Sequence, residues 1–338
     1  MSKIKTYEAS KLTEKYYKTF AGVYNDFVMR AKDDYKFELE PLAYDDFIDS
    51  LKENLMECII LLEDDIPTGF LVYTTMISES LELNIIHCIG SDNITAKRKV
   101  LLDKFVELNN GLMQEKGTTY PLLGIQNDFA QEIVLYGFKL TGIVVLRFFF
   151  NAYSCMGILN HLPLVSEQLP YDYSVVSWDE YYHLRDSYNI IYETFKSTND
   201  AQFDPRFKTQ KGVKSIINQI IQSIYGDFIP QATKVLLYRN KPVGICFVNI
   251  TGGMIANIPL VGIYKDHQGK GLGQALLQAS VIEICHMMSK GELNLSEVNV
   301  STDTDNHSAI KMYRHIGFKE DYCYTQAYKL PNCCSEQA

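Results

Sequence analysis

No apolar run in this chain approaches the about 18 residues that a membrane-spanning helix needs. The longest, Ile143 to Phe150, is interrupted by Arg147 and reads as a buried strand. There is no C-x-x-C pair among the eight cysteines, so neither a zinc knuckle nor a dithiol redox motif is written here. Cys58 in ECIILL and Cys246 in VGICFV sit inside apolar runs, and the set reads as reduced, mostly buried thiols. Cys155, Cys333 and Cys334 receive no role. Long Lys/Arg runs are absent and the net charge is −9. That excess speaks against nucleic acid and anionic membrane as partners. The opening MSKIKTYEASKLTEKYYK lacks an apolar core and a small-residue cleavage pattern, so no secretory signal is expected and the expected location is cytoplasmic.

What is present is ordinary globular material, 46% hydrophobic and 22% charged over 338 residues, enough for two domains with a core each. Asn151 to Pro170, with Pro163 and Pro170, reads as the connection, which gives domains over 1–165 and 166–338. In the second, Tyr173–Trp178 reads as a strand, and Glu180–Phe195 and Val213–Ile224 as helices. Val235–Arg239 and Val243–Ile250 read as a hairpin, and Gly252-Gly253 turns the chain into a strand over Met254–Ile263. Leu272–Ser289 is a long helix, Val298–Ser301 a strand, Asn306–Ile316 a helix, and Phe318–Leu330 the closing strands. The expected class is mixed α+β, with a mostly antiparallel sheet flanked by helices. The first half repeats this order at an offset of roughly 175–180 residues, an internal duplication. Val100-Leu101-Leu102 answers Ala275-Leu276-Leu277, and Gly137-Phe138 answers Gly317-Phe318. The aromatic segment Tyr16 to Phe27 reads as core packing, with a partner-facing helix as the other option.

The segment Gln268-Gly269-Lys270-Gly271-Leu272-Gly273 stands between a strand and a helix. Glycines there let backbone approach a ligand, and unpaired amides at a helix start favour a phosphate. The P-loop spacing and its hydroxyl are missing, and the glycines run G-x-G-x-G rather than the dinucleotide G-x-G-x-x-G. A plain glycine-rich turn is the remaining alternative.

The spacing Q-x-x-G-x-G in Gln268, Gly271 and Gly273 resembles the pyrophosphate loop of the GNAT acyltransferase superfamily. Asn306, Ala309, Tyr313, Gly317 and Phe318 resemble its second signature, N-x-x-A-x-x-x-Y-x-x-x-G-F. The resemblance covers roughly residues 171–330 and implies two tandem GNAT-like domains. It implies an N-acetyltransferase that uses acetyl-CoA, without a metal, on the amine of a small molecule or peptide, as a monomer or homodimer. By position it gives Val261, Gly262 and Ile263 to the pantetheine arm, one of their amides also polarising the thioester carbonyl. Gln268, Gly269, Lys270, Gly271, Leu272, Gly273 and Gln274 go to the pyrophosphate. Asn306 goes to the cofactor, or to the N-cap of its helix, or to both. Tyr313 goes to protonation of the departing thiolate. Acceptor contacts are expected from Tyr188, Tyr192, Phe203, Asp204, Arg206, Asn257 and Tyr324. His267 and His307 read as solvated loop residues.

The family often places a carboxylate on the strand before the loop, and Met254–Val261 has none. Asp303 and Asp305 are candidates through water, and the general base stays unassigned. That gap supports an alternative, a non-catalytic acyl-CoA-binding regulator. In the first half Asn93, Ala96 and Arg98 stand where the second has Gln268, Gly271 and Gly273. Seven residues after Asn127 comes Val134, with Tyr136 offset by two. A degenerate, non-catalytic copy is expected.

Overall fold

A computed structural model describes residues 7–75, 80–90, 92–150 and 169–331. Most of the expected connection Asn151–Pro170 lies outside them, as do Cys155, Cys333 and Cys334. The chain divides into two compact units, Met1–Thr141 with Tyr324–Ala338, and Gly142–Cys323.

Unit 1 pairs β1 (Tyr7–Lys11), β2 (Glu57–Glu63), β3 (Ile66–Thr74) and β4 (Leu81–Cys88) in antiparallel order. Asp64 and Asp65 turn β2 into β3 with positive φ, the geometry a tight hairpin needs. Beyond β4 lie β5 (Thr118–Leu122) and the end of β15 (Lys319–Lys329). On β2, Ile59 and Leu61 face the core beneath α3 (Ile94–Glu115). Cys58, Ile60 and Leu62 face the other, beneath α1 (Tyr17–Arg30) and α2 (Tyr44–Lys52). A strand covered on both faces reads as a continuous apolar run, as ECIILL does. Tyr16, Phe20, Val23, Tyr24 and Phe27 are buried in that second core, so the aromatic segment packs inward. A short helix α4 (Ala130–Ile133) follows β5.

Unit 2 has two sheets. One runs β6 (Lys139–Phe149, from Gly142 on), β14 (Glu297–Asp303), β12 (Ile255–Asn257), β11 (Asn249–Thr251), β8 (Asp227–Phe228). The other runs β13 (Val261–Ile263), β10 (Lys241–Cys246), β9 (Lys234–Tyr238), β7 (Tyr173–Ser177). Helices α8 (Leu272–Ser289) and α9 (His307–Ile316) cover one face. On the other lie α5 (Glu180–Phe195), α6 (Asp200–Phe203) and α7 (Gln210–Ile221). None of the described helices is long and apolar enough to cross a membrane.

Two expectations need correction. The units do not part at a single cut near residue 165; the breaks fall inside β6 and β15. Ile143–Phe149 pairs with Asp303–Glu297 of unit 2, whereas Thr325–Lys329 pairs with Leu122–Thr118 of unit 1. Each closing strand thus serves the unit that the other half of the chain builds. The strand expected over Met254–Ile263 is also two strands, split at Ile258-Pro259-Leu260.

Candidate functional site

The split shapes the site. β12 pairs in parallel with β14 through Asn257 and Asn299, and the Ile258 N–H still donates to the Asn299 carbonyl at 3.1 Å. Pro259 then offers no N–H, and β13 leaves to pair with β10. β14 continues to Asp303 with β6 on its far side. A gap therefore opens between β13 and residues 300–303 of β14. Leu260 accepts from the Phe247 N–H and the Tyr264 N–H donates to Val243. In an antiparallel ladder alternate residues face the partner, so Leu260, Gly262 and Tyr264 turn to β10 while Val261 and Ile263 turn to the gap. Among the described residues β13 is an edge strand. The Ile263 carbonyl is taken by the Gln268 amide at 2.8 Å and by Thr194 Oγ1 at 3.4 Å. Both Val261 backbone groups and the Ile263 N–H remain directed at the gap.

The loop reaches α8 through a short turn, Lys265–His267. Gly269 (φ 75°) and Gly271 (φ 76°) are left-handed, a conformation that side chains resist. Gly271 is the N-cap of α8 and supplies no side-chain cap, so the first amides of α8 point outward at the positive end of the helix. Gln268 is committed to Ile263, and Lys270 Nζ donates to the Asp266 carbonyl. Gly273 and Gly262 have packing reasons. A Cβ on the first would meet Met312 Sδ of α9 at 3.2 Å, and on the second Ile191 and Thr194 of α5 at 3.1 Å. Leu272 is core, and Gln274 is half-buried on the first turn. His267 is not a solvated loop residue: its Nδ1 is 2.8 Å from the Tyr173 hydroxyl.

Tyr313 on α9 is 4% exposed. Burial pushes the phenol's pKa well up, with the buried Cys246 thiol and the Asp200 carboxylate adding to the effect. Asn306 acts as the N-cap: its Oδ1 accepts from the Ala309 N–H at 3.2 Å and its Nδ2 donates to Thr302 at 3.0 Å. On β14, Val298 and Val300 enter the core under α8 and α9. Asn299, Ser301 and Asp303 therefore face the side that carries α5, α6 and α7. Asp303 Oδ1 is buried with no hydrogen-bond partner in the described residues. Its pKa is raised by burial, then by the charge of Asp200, against the opposing effect of a side-chain hydrogen bond from Asn199. The carboxyl of Asp200 is itself raised by burial and receives the Thr198 hydroxyl at 3.0 Å. Asp200 was missed by sequence reasoning, and no spacing or motif marks it.

The expected acceptor contacts do not gather in one place. Tyr188 donates to Asn218 Oδ1 at 2.8 Å and lines an open groove with Glu180, Leu184, Arg185 and Lys214. Tyr192 is half-buried under the Lys196 ammonium. Phe203 closes α6. Arg206 is buried, with its donors given to Asp204, Gln219 and Tyr225, so it and Asp204 tie the turn before α7 to the far end of that helix. Asn257 donates to Thr251 at 2.6 Å beside the start of the gap. Tyr324 belongs to unit 1.

The matching strands of unit 1, β4 and β5, are parallel only at Leu81–Glu82 and Thr118–Thr119. Ile86 corresponds to Val261 by the 175-residue offset. Its N–H donates to Gln126 Oε1 at 3.0 Å, which also receives the Tyr120 hydroxyl at 2.6 Å. Gln126 is 1% exposed, so this opening is closed by the unit's own side chain. At the start of α3, buried Lys97 donates to the Ile89 carbonyl at 2.9 Å. Neither residue stands out in the sequence.

Comparison with known proteins bears on the fold. Residues 231–320 match the family profile described as an acetyltransferase (GNAT) domain. No curated protein is matched by sequence. A GCN5-related N-acetyltransferase from Sphaerobacter thermophilus is similar in structure at 13% identity and TM-score 0.63, over 96% of this chain and 95% of that one. A tandem GNAT protein from the clavulanic acid biosynthesis pathway is similar at 11% identity and TM-score 0.57, over 96% and 99%. A glucosamine N-acetyltransferase region of a fungal multi-domain β-N-acetylglucosaminidase gives 11% and 0.63, over 96% of this chain and 38% of that chain. At these identities the likeness establishes a tandem GNAT fold. Acyl transfer is the chemistry that the matched domain supports.

Proposed function

We propose that unit 2 moves the acetyl group of acetyl-CoA to the nitrogen of an amine, carried by a cytoplasmic small molecule or peptide. The observation that carries this reading is the gap beside β13, with unpaired backbone groups along one wall, an uncapped helix start at its mouth and a buried phenol. Val261 and Ile263 bind the pantetheine arm as an added strand would, and one of their N–H groups polarises the thioester carbonyl. The outward amides at Gly271–Gln274 take the pyrophosphate. Tyr313 holds the proton that the departing thiolate needs, and burial keeps it on the phenol at neutral pH.

Gln268, Gly262, Gly273 and Asn306 support this site from behind by the contacts described above. The sealed opening of unit 1 argues for one site per chain. The test is release of free thiol from acetyl-CoA across polyamines, amino sugars, amino acids and peptides, with Tyr313→Phe alongside. Turnover on one class, lowered at least about tenfold in the variant, is expected. Silence on every amine, with no stabilisation by CoA, would contradict the reading.

A further inference from the structure

We infer that the hydrogen bond between Tyr173 and His267 is a clasp that holds the glycine-rich loop in its binding shape, which makes His267 a positioning residue for acyl-CoA. The inference rests on the transferase reading of unit 2 and adds to that site a pair of side chains, one of them on β7.

The stretch from Gln268 to Gly271 has little packing of its own. Gly269 and Gly271 keep φ of 75° and 76°, and a Cβ on either would meet nothing within 4 Å. Glycine also loses more backbone freedom on ordering than any other residue. A loop that had to order when the cofactor arrived would bind it more weakly than one already in place. Its shape is therefore set at its two ends.

At the far end Leu272 is buried in the core with Leu276 of α8. The near end is the turn Lys265–His267. There Gln268 ties the loop back to its own strand through the Ile263 carbonyl, and Lys270 bonds to the Asp266 carbonyl within the segment. His267 reaches a different strand: its Nδ1 is 2.8 Å from the hydroxyl of Tyr173, 94 residues earlier. Its own N–H donates to the Tyr264 carbonyl at 2.9 Å, so both its backbone and its ring are engaged.

The surroundings hold this bond to one geometry. Tyr173 and Tyr238 stand opposite each other on β7 and β9, with ring centres 4.9 Å apart. The His267 ring meets the first edge-on at 5.7 Å and 82°, and lies 5.1 Å from the second. Such edge-to-face contacts orient rings as well as attract them. Both tyrosines pack on the same core that buries Leu272, so the clasp fixes the near end of the loop to the body that fixes the far end. With the phenol as donor, Nδ1 is the acceptor and the neutral imidazole carries its proton on Nε2.

The test joins a ligand-free readout to a binding one. Backbone NMR order parameters of Gly269 and Gly271 are measured without ligand in wild type, Tyr173→Phe, His267→Ala and His267→Asn. CoA is titrated calorimetrically into the same proteins and into the double variant Tyr173→Phe/His267→Ala. Phenylalanine removes the bond and keeps the ring contacts; asparagine keeps an acceptor oxygen near the place of Nδ1. The expected result is lower order at both glycines and CoA binding weaker by about threefold or more in Tyr173→Phe and in His267→Ala, the scale of one neutral hydrogen bond. The double variant is no weaker than His267→Ala, His267→Asn stays close to wild type, and kcat at saturating acetyl-CoA is unchanged while its KM rises. Wild-type order or wild-type affinity in Tyr173→Phe overturns the clasp, and so does an asparagine variant as weak as the alanine one. Should wild type bind no CoA, the transferase reading fails, and the order parameters alone decide whether the bond holds the loop.

Discussion

Tyr313 and His87 show how burial sets the work of a single side chain in opposite directions. Burial raises the Tyr313 phenol, so the proton stays in place through the whole working range. The account predicts that any alkaline loss of kcat persists in Tyr313→Phe, because the phenol does not cause it; stopped-flow pH profiles of both proteins check this. In unit 1, His87 is fully buried with the Tyr35 hydroxyl 2.7 Å from Nδ1 and Asp26 3.1 Å from Nε2. Burial lowers its pKa to about 4, against an ordinary 6.5. Between those values the unfolded chain binds a proton that the folded chain refuses, so stability falls as pH drops through 6.5 toward 4. The loss is on the order of 2–3 kcal/mol, read by urea unfolding, and His87→Gln should flatten the slope. Tyr313 was legible because a motif places it. Gln126 and His87 were not, since each gains its role from partners tens of residues away in the chain.

At the scale of elements, periodicity located Glu180–Phe195 and Leu272–Ser289 with the ends now observed. Capping and an apolar stripe are local properties, and a sequence carries them openly. The split of Met254–Ile263 was not legible. Pro259 is compatible with an edge strand as well as with a break, and only the change of partner from β14 to β10 decides. The loop invites a controlled comparison. Gly271 and Gly253 both have positive φ, and a Cβ on either would enter open space. Valine at either position should cost about 1–2 kcal/mol in backbone strain. Gly271→Val should also abolish the rise in Tm with CoA, whereas Gly253→Val should keep it, as scanning calorimetry with and without CoA will report.

At the scale of the whole molecule, duplication was readable from the order of elements, and the tandem GNAT fold bears it out. The allocation of the closing strands was not readable. Residues 143–149 and 325–329 alternate in the same way whichever neighbour they join, so nothing local says that each pairs with strands from the other half. The two units also differ in what fills the opening between their parallel strands. In unit 1 Gln126 occupies the Ile86 N–H, and in unit 2 the corresponding Val261 is open. The central claim is that the gap beside β13 is the acyl-CoA site and that each chain has one. Calorimetric titration of acetyl-CoA into the full chain tests it most directly. One site per chain, lost in Gly271→Val and kept in Gly253→Val, is the predicted result; no binding, or a site that survives Gly271→Val, would contradict it.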